Sequence, residues 1–388
     1  MIVRQFISWI RTAPAGERAE ATRALARAWL ISDLTAEDRA AAEGALLMLL
    51  DDPSPLVRQA MAEVFARSAD APAAIVQALA LDQPSIALPI LEHSPLLIDA
   101  DLVDIVATGN SETQCAIAHR NNLPPSVSAA IAEVGTAAAA LELIENAFAE
   151  LAPFSWDRIV ERHGHLAAIR ESMLVLEGLP SATRLALVAK LSETLAQFVV
   201  ARNWMSADRA GRIASDARER STVHIAARSR GEDMLGLVRH LRATGQLTAG
   251  MILRALLSGN LDLFDSALAE LTDLPLSRVS ALLHDRGGAS LQALLIRAGF
   301  PESTFAAFRV ALEACHENGF ADTAGGAASL RRRMVERVLT HCETDRHAAE
   351  PLMILLRRFA TESAREEARM FCDELAAQDA IAHDLMAA

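Results

Sequence analysis

Two short clusters bring together side chains able to hold a metal ion or move a proton. His163, Gly164 and His165 follow Glu161, and His341-Cys342 lies close to Glu343, Asp345 and His347. A zinc site needs ligands at helical or hairpin spacing and a second pair from elsewhere in the chain. The sequence has no HExxH, no CxxC and no Cys2His2 spacing, so surface or loop histidines are the ordinary reading of both clusters. The four cysteines are Cys115, Cys315, Cys342 and Cys372. A nucleophilic thiol requires an electropositive, partly exposed pocket, whereas Cys115 lies in QCAIA, an apolar helical pattern that suits core packing. His240 in VRHLRATGQL is loosely like a phosphorelay histidine, with a longer spacing to the following Gly than is usual. No GxSxG elbow, P-loop or dinucleotide fingerprint occurs, because the glycine clusters lack a strand-to-helix setting. No catalytic residue, metal ligand or cofactor is assigned.

The arginines form a clearer pattern. Residues 202–254 hold 10 Arg and 5 acids, a net of +5, in a chain of formal charge -13. Residues 1–150 hold 9 Arg and 20 acids, a net of -11. Arg209, Arg212, Asp216, Arg220, His224 and Arg228 recur at three- and four-residue steps. One helix would align them, with Ala210, Ile213, Ala214, Ala217 and Ile225 on the opposite face. The ordinary reading is a solvated face with i,i+4 pairs such as Arg212–Asp216–Arg220. The functional reading is a partner- or phosphate-binding face, since arginine makes bidentate contacts with anions. Its candidate contacts are Arg209, Arg212, Arg220, His224 and Arg228. In a solenoid, residues far apart in sequence do not touch, which would leave this face clear of the acidic N-terminal segment.

The elements that must position these side chains are helical. Apolar residues make up 52% of the chain and aromatics only 4%, with no Tyr, so the apolar mass is mostly Ala and Leu. These are strong helix formers, and β-favouring aromatics are scarce. In DDPSPLVRQAMAEVFARS, Asp51 or Asp52 can cap a helix, and Leu56, Val57, Ala60, Met61, Val64 and Phe65 form one apolar stripe. Similar punctuation recurs at LDQPSIALPILEHSP and TGNSETQCAIAHRNNLPP, placing Asp52, Asp82 and Asn110 30 and 28 residues apart. That interval fits two short helices and two turns. The stripes Met48/Leu49/Leu50 and Leu352/Met353/Leu355/Leu356/Phe359 read as inter-helix core.

A longer repeat is also expected. LELIENAFAEL from Leu141 aligns with LDLFDSALAEL from Leu261 at an offset of 120, with six of eleven positions identical. The same offset pairs Arg158 with Arg278, and GLPSAT matches GFPEST one residue later. Residues 127–195 and 247–316 are therefore read as a duplicated helical unit. The best break lies in AELAPFSWDRIVERHGH, giving N-terminal repeats over 1–155 and a C-terminal helical domain over 156–388. The Gly-rich NGFADTAGGAA (Asn318 to Ala328) is the candidate mobile loop.

DPSPLVRQAMAEVFA resembles the second-helix entry of a HEAT repeat, with Asp52 and Arg58 at the positions of that motif's Asp and Arg. Nearly the whole chain resembles an uncharacterised alphaproteobacterial helical-repeat family, a domain of unknown function. The segments that carry this resemblance include RTAPAGERAEATRALARAWL, HLRATGQLTAGMILRALLSGN, DSALAELTDLPLSRVSALLHDRGG and RRRMVERVLTHCE. It implies helical repeats and supplies no functional residues.

The fold expected is all-α, a HEAT-like α-solenoid or solenoid-like bundle of stacked helical hairpins. The acidic balance disfavours nucleic acid, and no apolar run approaches the roughly 20 residues of a membrane span. MIVRQFISWIRTAP lacks the long apolar region of a secretory signal. Ile2, Val3, Phe6, Ile7 and Ile10 share a face that suits docking on the core and, at most, weak lipid contact. Irregularly spaced cysteines in a chain of this size point to reduced thiols and a cytoplasmic setting. The function expected is a non-enzymatic scaffold binding a protein partner. The alternatives are a phosphorelay-type regulator and an enzyme with a cavity between two halves.

Overall fold

The computed structural model describes residues 9–284, 289–318, 326–344 and 349–387. They are all-helical, and the one extended pairing among them is a single bridge between Leu123 and Ala149. The chain forms two compact units, residues 1–179 and 180–388.

The first unit carries α1 (Ala15–Ile31), α2 (Ala36–Leu49), α3 (Pro55–Phe65), α4 (Ala73–Ala80), α5 (Pro84–His93) and α6 (Asp99–Thr108). It continues through α7 (Ser111–Ala118), α8 (Pro125–Val134), α9 (Ala137–Glu145), α10 (Pro153–His163) and α11 (Ala167–Val175). Proline opens α3, α5, α8 and α10, where its missing N–H costs nothing and its fixed φ suits the first turn. Thr35, Asn110 and Thr136 cap α2, α7 and α9 by accepting the N–H three residues on. Gly109 and Gly135 end α6 and α8, where a Cβ would lie 2.6 and 2.4 Å from the Ile105 and Ile131 carbonyl oxygens.

Most of these helices pack mainly on the one two places along, whereas α2 packs on α1 and α4 on α5. α1, α3, α5, α7, α9 and α11 stack in one layer, and α6, α8 and α10 in a second. α10 and α11, which follow the Pro153 break, thus pack on α8 and α9. Val57, Ala60, Met61 and Phe65 are buried, whereas Leu56, read as part of the same stripe, is 54% exposed because it lies outside the stacking seam. Trp29 of α1 meets Phe65 edge-on at 6.3 Å.

An ionic ladder ties successive repeats together. Arg18 of α1 donates through Nε and Nη2 to both carboxylate oxygens of Asp52, at 2.9 and 2.8 Å. Arg58 of α3 does the same to Asp82, at 2.6 and 3.1 Å. Asp52 does not cap α3 directly; its Oδ1 accepts the Ser54 N–H one step before the helix. Burial pushes the Asp52 carboxyl up, but the Arg18 hydrogen bond, the Ser54 N–H and the charges of Arg18 and Arg58 outweigh it and hold the group below the usual aspartate range. Asp82 is likewise held down by Arg58 and the Gln83 N–H, against the upward push of burial.

Both carboxyls therefore bind protons less readily folded than unfolded. The stability they contribute is complete above the unfolded pKa of about 4, and it is lost as pH falls through their depressed folded values. Asp52→Asn with Asp82→Asn should lower stability at neutral pH and flatten its fall in acid, as read by circular dichroism during acid titration. An acid profile parallel to that of the parent chain would show that other groups set it.

The second unit comprises α12 (Ser181–Ala201), α13 (Ala207–Ala226), α14 (Gly231–Ala243), α15 (Ala249–Leu257), α16 (Leu261–Thr272), α17 (Leu276–His284) and α18 (Ala289–Arg297). A short 3-10 turn at Glu302–Thr304 leads to α19 (Phe305–Asn318), α20 (Gly326–Thr344) and α21 (Glu350–Ala387). Here α15 is the centre, and α13, α16, α19, α20 and α21 all pack on it. Every residue from Met251 to Leu257 is buried, including Arg254. Phe264 and Phe308 stack at 6.0 Å beside this helix, and Phe300 stacks on Phe308 at 5.4 Å. The start of α12 is fixed by Asp233, which accepts from the Ser181 N–H and Oγ at 2.8 and 2.6 Å.

Residues 127–195 fall on α8 to α12, and residues 247–316 on α15 to α19 with the 3-10 turn at Glu302–Thr304. The aligned segments differ locally. LELIENAFAEL leaves the helix after Glu145, where the Asn146 amide donates to the Ala118 and Arg120 carbonyls at 2.8 Å, whereas LDLFDSALAEL is helical throughout.

Candidate functional site

One helix runs through the arginine pattern. Arg209, Arg212, Arg220 and His224 lie on α13, and Arg228 lies two residues beyond its end. All five side chains are exposed, and among the described residues none of them carries an ion pair. Two of the three acids of this helix, Asp216 and Glu219, turn the other way, while Asp208 stays exposed in its first turn. Asp216 pairs with Arg358 of α21 at 2.6 Å, and Glu219 lies 3.3 Å from both Arg358 Nη2 and Arg254 Nε. The expected Arg212–Asp216–Arg220 pairing therefore does not form, and Arg220 Nε donates instead to the Asp216 carbonyl at 3.3 Å. Residues 142 positions apart meet here, so the rule that distant residues in a solenoid do not touch fails in the second unit. Of the apolar face, Ala210 is buried but Ile213 is 47% exposed.

Beneath the basic face lies a charged cluster. The Arg254 guanidinium sits 4.1 Å over the Phe359 ring and pairs with Glu362 at 2.6 Å. Such a cation over an aromatic face gains attraction once desolvated. Arg254 is only 6% exposed, and its Nη2 has no hydrogen-bond partner.

The cluster floors a cavity of about 630 Å³ inside the second unit. Its walls come from α13, the α15–α16 turn, α20 and α21. Six arginines line it (Arg220, Arg230, Arg254, Arg331, Arg365 and Arg369), with His224, against three acids, Asp262, Glu362 and Glu366. All three acids are engaged: Glu362 by Arg254, Glu366 by Arg331 at 2.5 Å and Asp262 by Arg230 at 3.8 Å. Among the described residues, Arg220, Arg365 and Arg369 have no acidic partner, so the cavity keeps an excess of positive charge. The turn Ser258–Asn260 joins α15 to α16 and is made possible by Gly259 at φ 79°. Asn260 caps α16 through Oδ1, which leaves its buried Nδ2 without a partner.

Two of the five residues singled out from the sequence, Arg220 and His224, line this cavity; Arg209, Arg212 and Arg228 do not. Arg254, Arg331, Arg365 and Arg369 also line it, and none of them belongs to the α13 spacing pattern. A signal for the first was present in MILRALL, where one arginine interrupts an unbroken apolar run.

The other candidates are not brought together. His163 is half-buried and contacts the Gly135 carbonyl at 3.3 Å, and burial, with Arg162 and His165 nearby, lowers its pKa against the raising effect of that contact. His341 contacts Arg309 at 3.5 Å, while Asp345 and His347 lie outside the described residues. No group of three or more His, Cys, Asp or Glu among the described residues could hold a metal ion. His240 is half-buried on α14. All four cysteines are free thiols; Cys315 and Cys342 are buried, Cys115 half-buried and Cys372 exposed. Burial pushes the Cys315 thiol up to about 12. Ile2, Val3, Phe6 and Ile7 of the N-terminal face, and most of the loop proposed over 318–328, also lie outside the described residues. No described helix is long and apolar enough to cross a membrane.

Residues 86–347 match the model of a family described as "Uncharacterised protein conserved in bacteria (DUF2336)". The matched span runs from α5 into the segment after α20, so it includes α13, α15 and α16 but not Arg365 and Arg369 of α21. No curated protein and no solved structure matches the chain.

Proposed function

We propose that this chain, which belongs to the bacterial DUF2336 family, is a non-enzymatic scaffold that binds an acidic protein partner across the basic face of α13. The observation that carries this reading is the sorting of charge on that helix. Of its three acids, Asp216 and Glu219 are engaged by Arg254 and Arg358, leaving one exposed acid, Asp208, beside Arg209, Arg212, Arg220, His224 and Arg228, which stay exposed and without an ion pair among the described residues. Exposed ion pairs contribute only about 0–1 kcal/mol each, so folding stability gives little reason to gather arginines there. Stacked helices support the reading by offering long rigid surfaces, an argument from fold analogy.

The same proposal includes a cytoplasmic setting, for which the four free thiols speak, and no nucleic-acid partner, given the net charge of -13. A HEAT-like origin for the first unit rests on the Arg18–Asp52 and Arg58–Asp82 ladder, and an alphaproteobacterial source on the sequence resemblance.

The test is affinity capture from the native host with the parent chain and with Arg209→Glu plus Arg212→Glu. Captured partner should fall at least about tenfold and should also fall with added salt. The melting temperature should shift by no more than about 2 °C, because both sites are exposed and unpaired. Unchanged capture would place the partner elsewhere, and a large loss of melting temperature would show the two arginines to be structural.

A further inference from the structure

We propose that the cavity of the second unit binds a small phosphorylated molecule carrying two or more phosphate charges. The first ground is a pair of buried donors that nothing among the described residues satisfies. Arg254 Nη2 and Asn260 Nδ2 both belong to residues lining the cavity, 6% and 8% exposed, and neither has an acceptor. Buried polar groups are nearly always hydrogen-bonded, and two unpaired donors within the residues that wall one space leave that wall short of acceptors. A second ground is the N-terminus of α16, a 12-residue helix whose first residues, Leu261 and Asp262, line the same space. The positive end of its dipole adds to the attraction for an anion.

Charge and size narrow the class. Once the three lining acids are matched with Arg230, Arg254 and Arg331, the arginines at 220, 365 and 369 remain uncompensated. One carboxylate would leave most of that charge unmatched, whereas a di- or triphosphate offers both the charge and the bidentate geometry that guanidinium groups favour. The cavity, about 630 Å³, lies in the range of pockets that enclose nucleotide-sized ligands. Val223, Leu257 and Val335 give part of its wall an apolar character suited to an organic moiety. This site shares Arg220 and His224 with the partner face, but Arg209 and Arg212 do not line it, so the two readings can be tested separately.

The experiment is isothermal titration calorimetry on the full chain in chloride buffer, with ATP, inorganic tripolyphosphate and triglutamate as probes. ATP or tripolyphosphate should bind, and triglutamate should bind at least tenfold more weakly. Tighter binding of ATP would identify a nucleotide-like source, and equal or tighter binding of tripolyphosphate an inorganic one. Arg365→Gln with Arg369→Gln, two exposed changes, should weaken binding at least tenfold. Asn260→Asp keeps an oxygen to cap α16 but removes the Nδ2 donor, and it should weaken binding by more than tenfold with the helical spectrum unchanged. Arg209→Glu with Arg212→Glu should leave phosphate binding intact, so failure of the partner-face reading can be told from failure of this one. No heat from either phosphate at millimolar concentration, triglutamate binding as tightly, or phosphate binding that survives both pocket variants would overturn the proposal.

Discussion

Arg254→Ala should destabilise the second unit by about 3–5 kcal/mol, the cost of removing one partner from a buried ion pair. Glu362 loses its 2.6 Å contact and Glu219 one of its two cationic neighbours, so Arg358 must balance both with Asp216. The substitution also uncovers the Phe359 ring and leaves a gap in the one helix on which five others pack. Hydrogen exchange of the α15 and α16 amides reads this locally. Arg254→Met with Glu219→Gln and Glu362→Gln should cost less than the single change, because replacing charges by apolar or neutral groups of similar volume removes the desolvation penalty together with the attraction. A loss below about 1 kcal/mol for Arg254→Ala would mean that water reaches the cluster and screens it.

In the first unit the largest effect is expected at Phe65. It is one of the largest side chains with no exposed surface, and it packs edge-on against Trp29 at 6.3 Å. Phe65→Ala should cost about 3–5 kcal/mol, from lost transfer energy and the cavity left behind. The aromatic pair would account for about 0.5–1.5 kcal/mol of that. Denaturant unfolding, with exchange measured on α1 and α3, should show the loss there. Phe148→Ala is the control, since that ring is 63% exposed and its removal should change stability by no more than about 0.5 kcal/mol. Similar losses at the two positions would contradict the stacking of α1 on α3.

What could be read from sequence divides along range. The all-helical class follows from local propensity, and the punctuation at Asp52, Asp82 and Asn110 marks real helix entries, because prolines and caps act within one turn. The stripe on α13 was legible because helical period alone aligns it. Its pairing was not, since Asp216 turns to a residue 142 positions away and no i,i+4 rule reaches that far. The cavity was hidden for the same reason: Arg220, Arg254, Arg331 and Arg365 come from four helices, and only tertiary packing sets them around one space. Leu56 shows the smaller failure, in which a stripe drawn from period alone was one residue wider than the seam it packs into.

The ladder of the first unit has a bearing on how such a chain can change length over evolutionary time. Each rung joins an arginine on one helix to an aspartate that stands before the next helix of the same layer, Arg18 to Asp52 and then Arg58 to Asp82. Excision of residues 53–82 removes Arg58 and Asp82 together and leaves Arg18 with Asp52 at the entry to α5. Insertion of a copy of that block likewise adds one ladder arginine and one ladder aspartate. Gain or loss of whole blocks therefore leaves no member of the ladder unpaired, whereas a cut out of phase strands one member of a rung in a half-buried position. Lengthening or shortening of this unit should therefore be tolerated best in steps of about one helical pair.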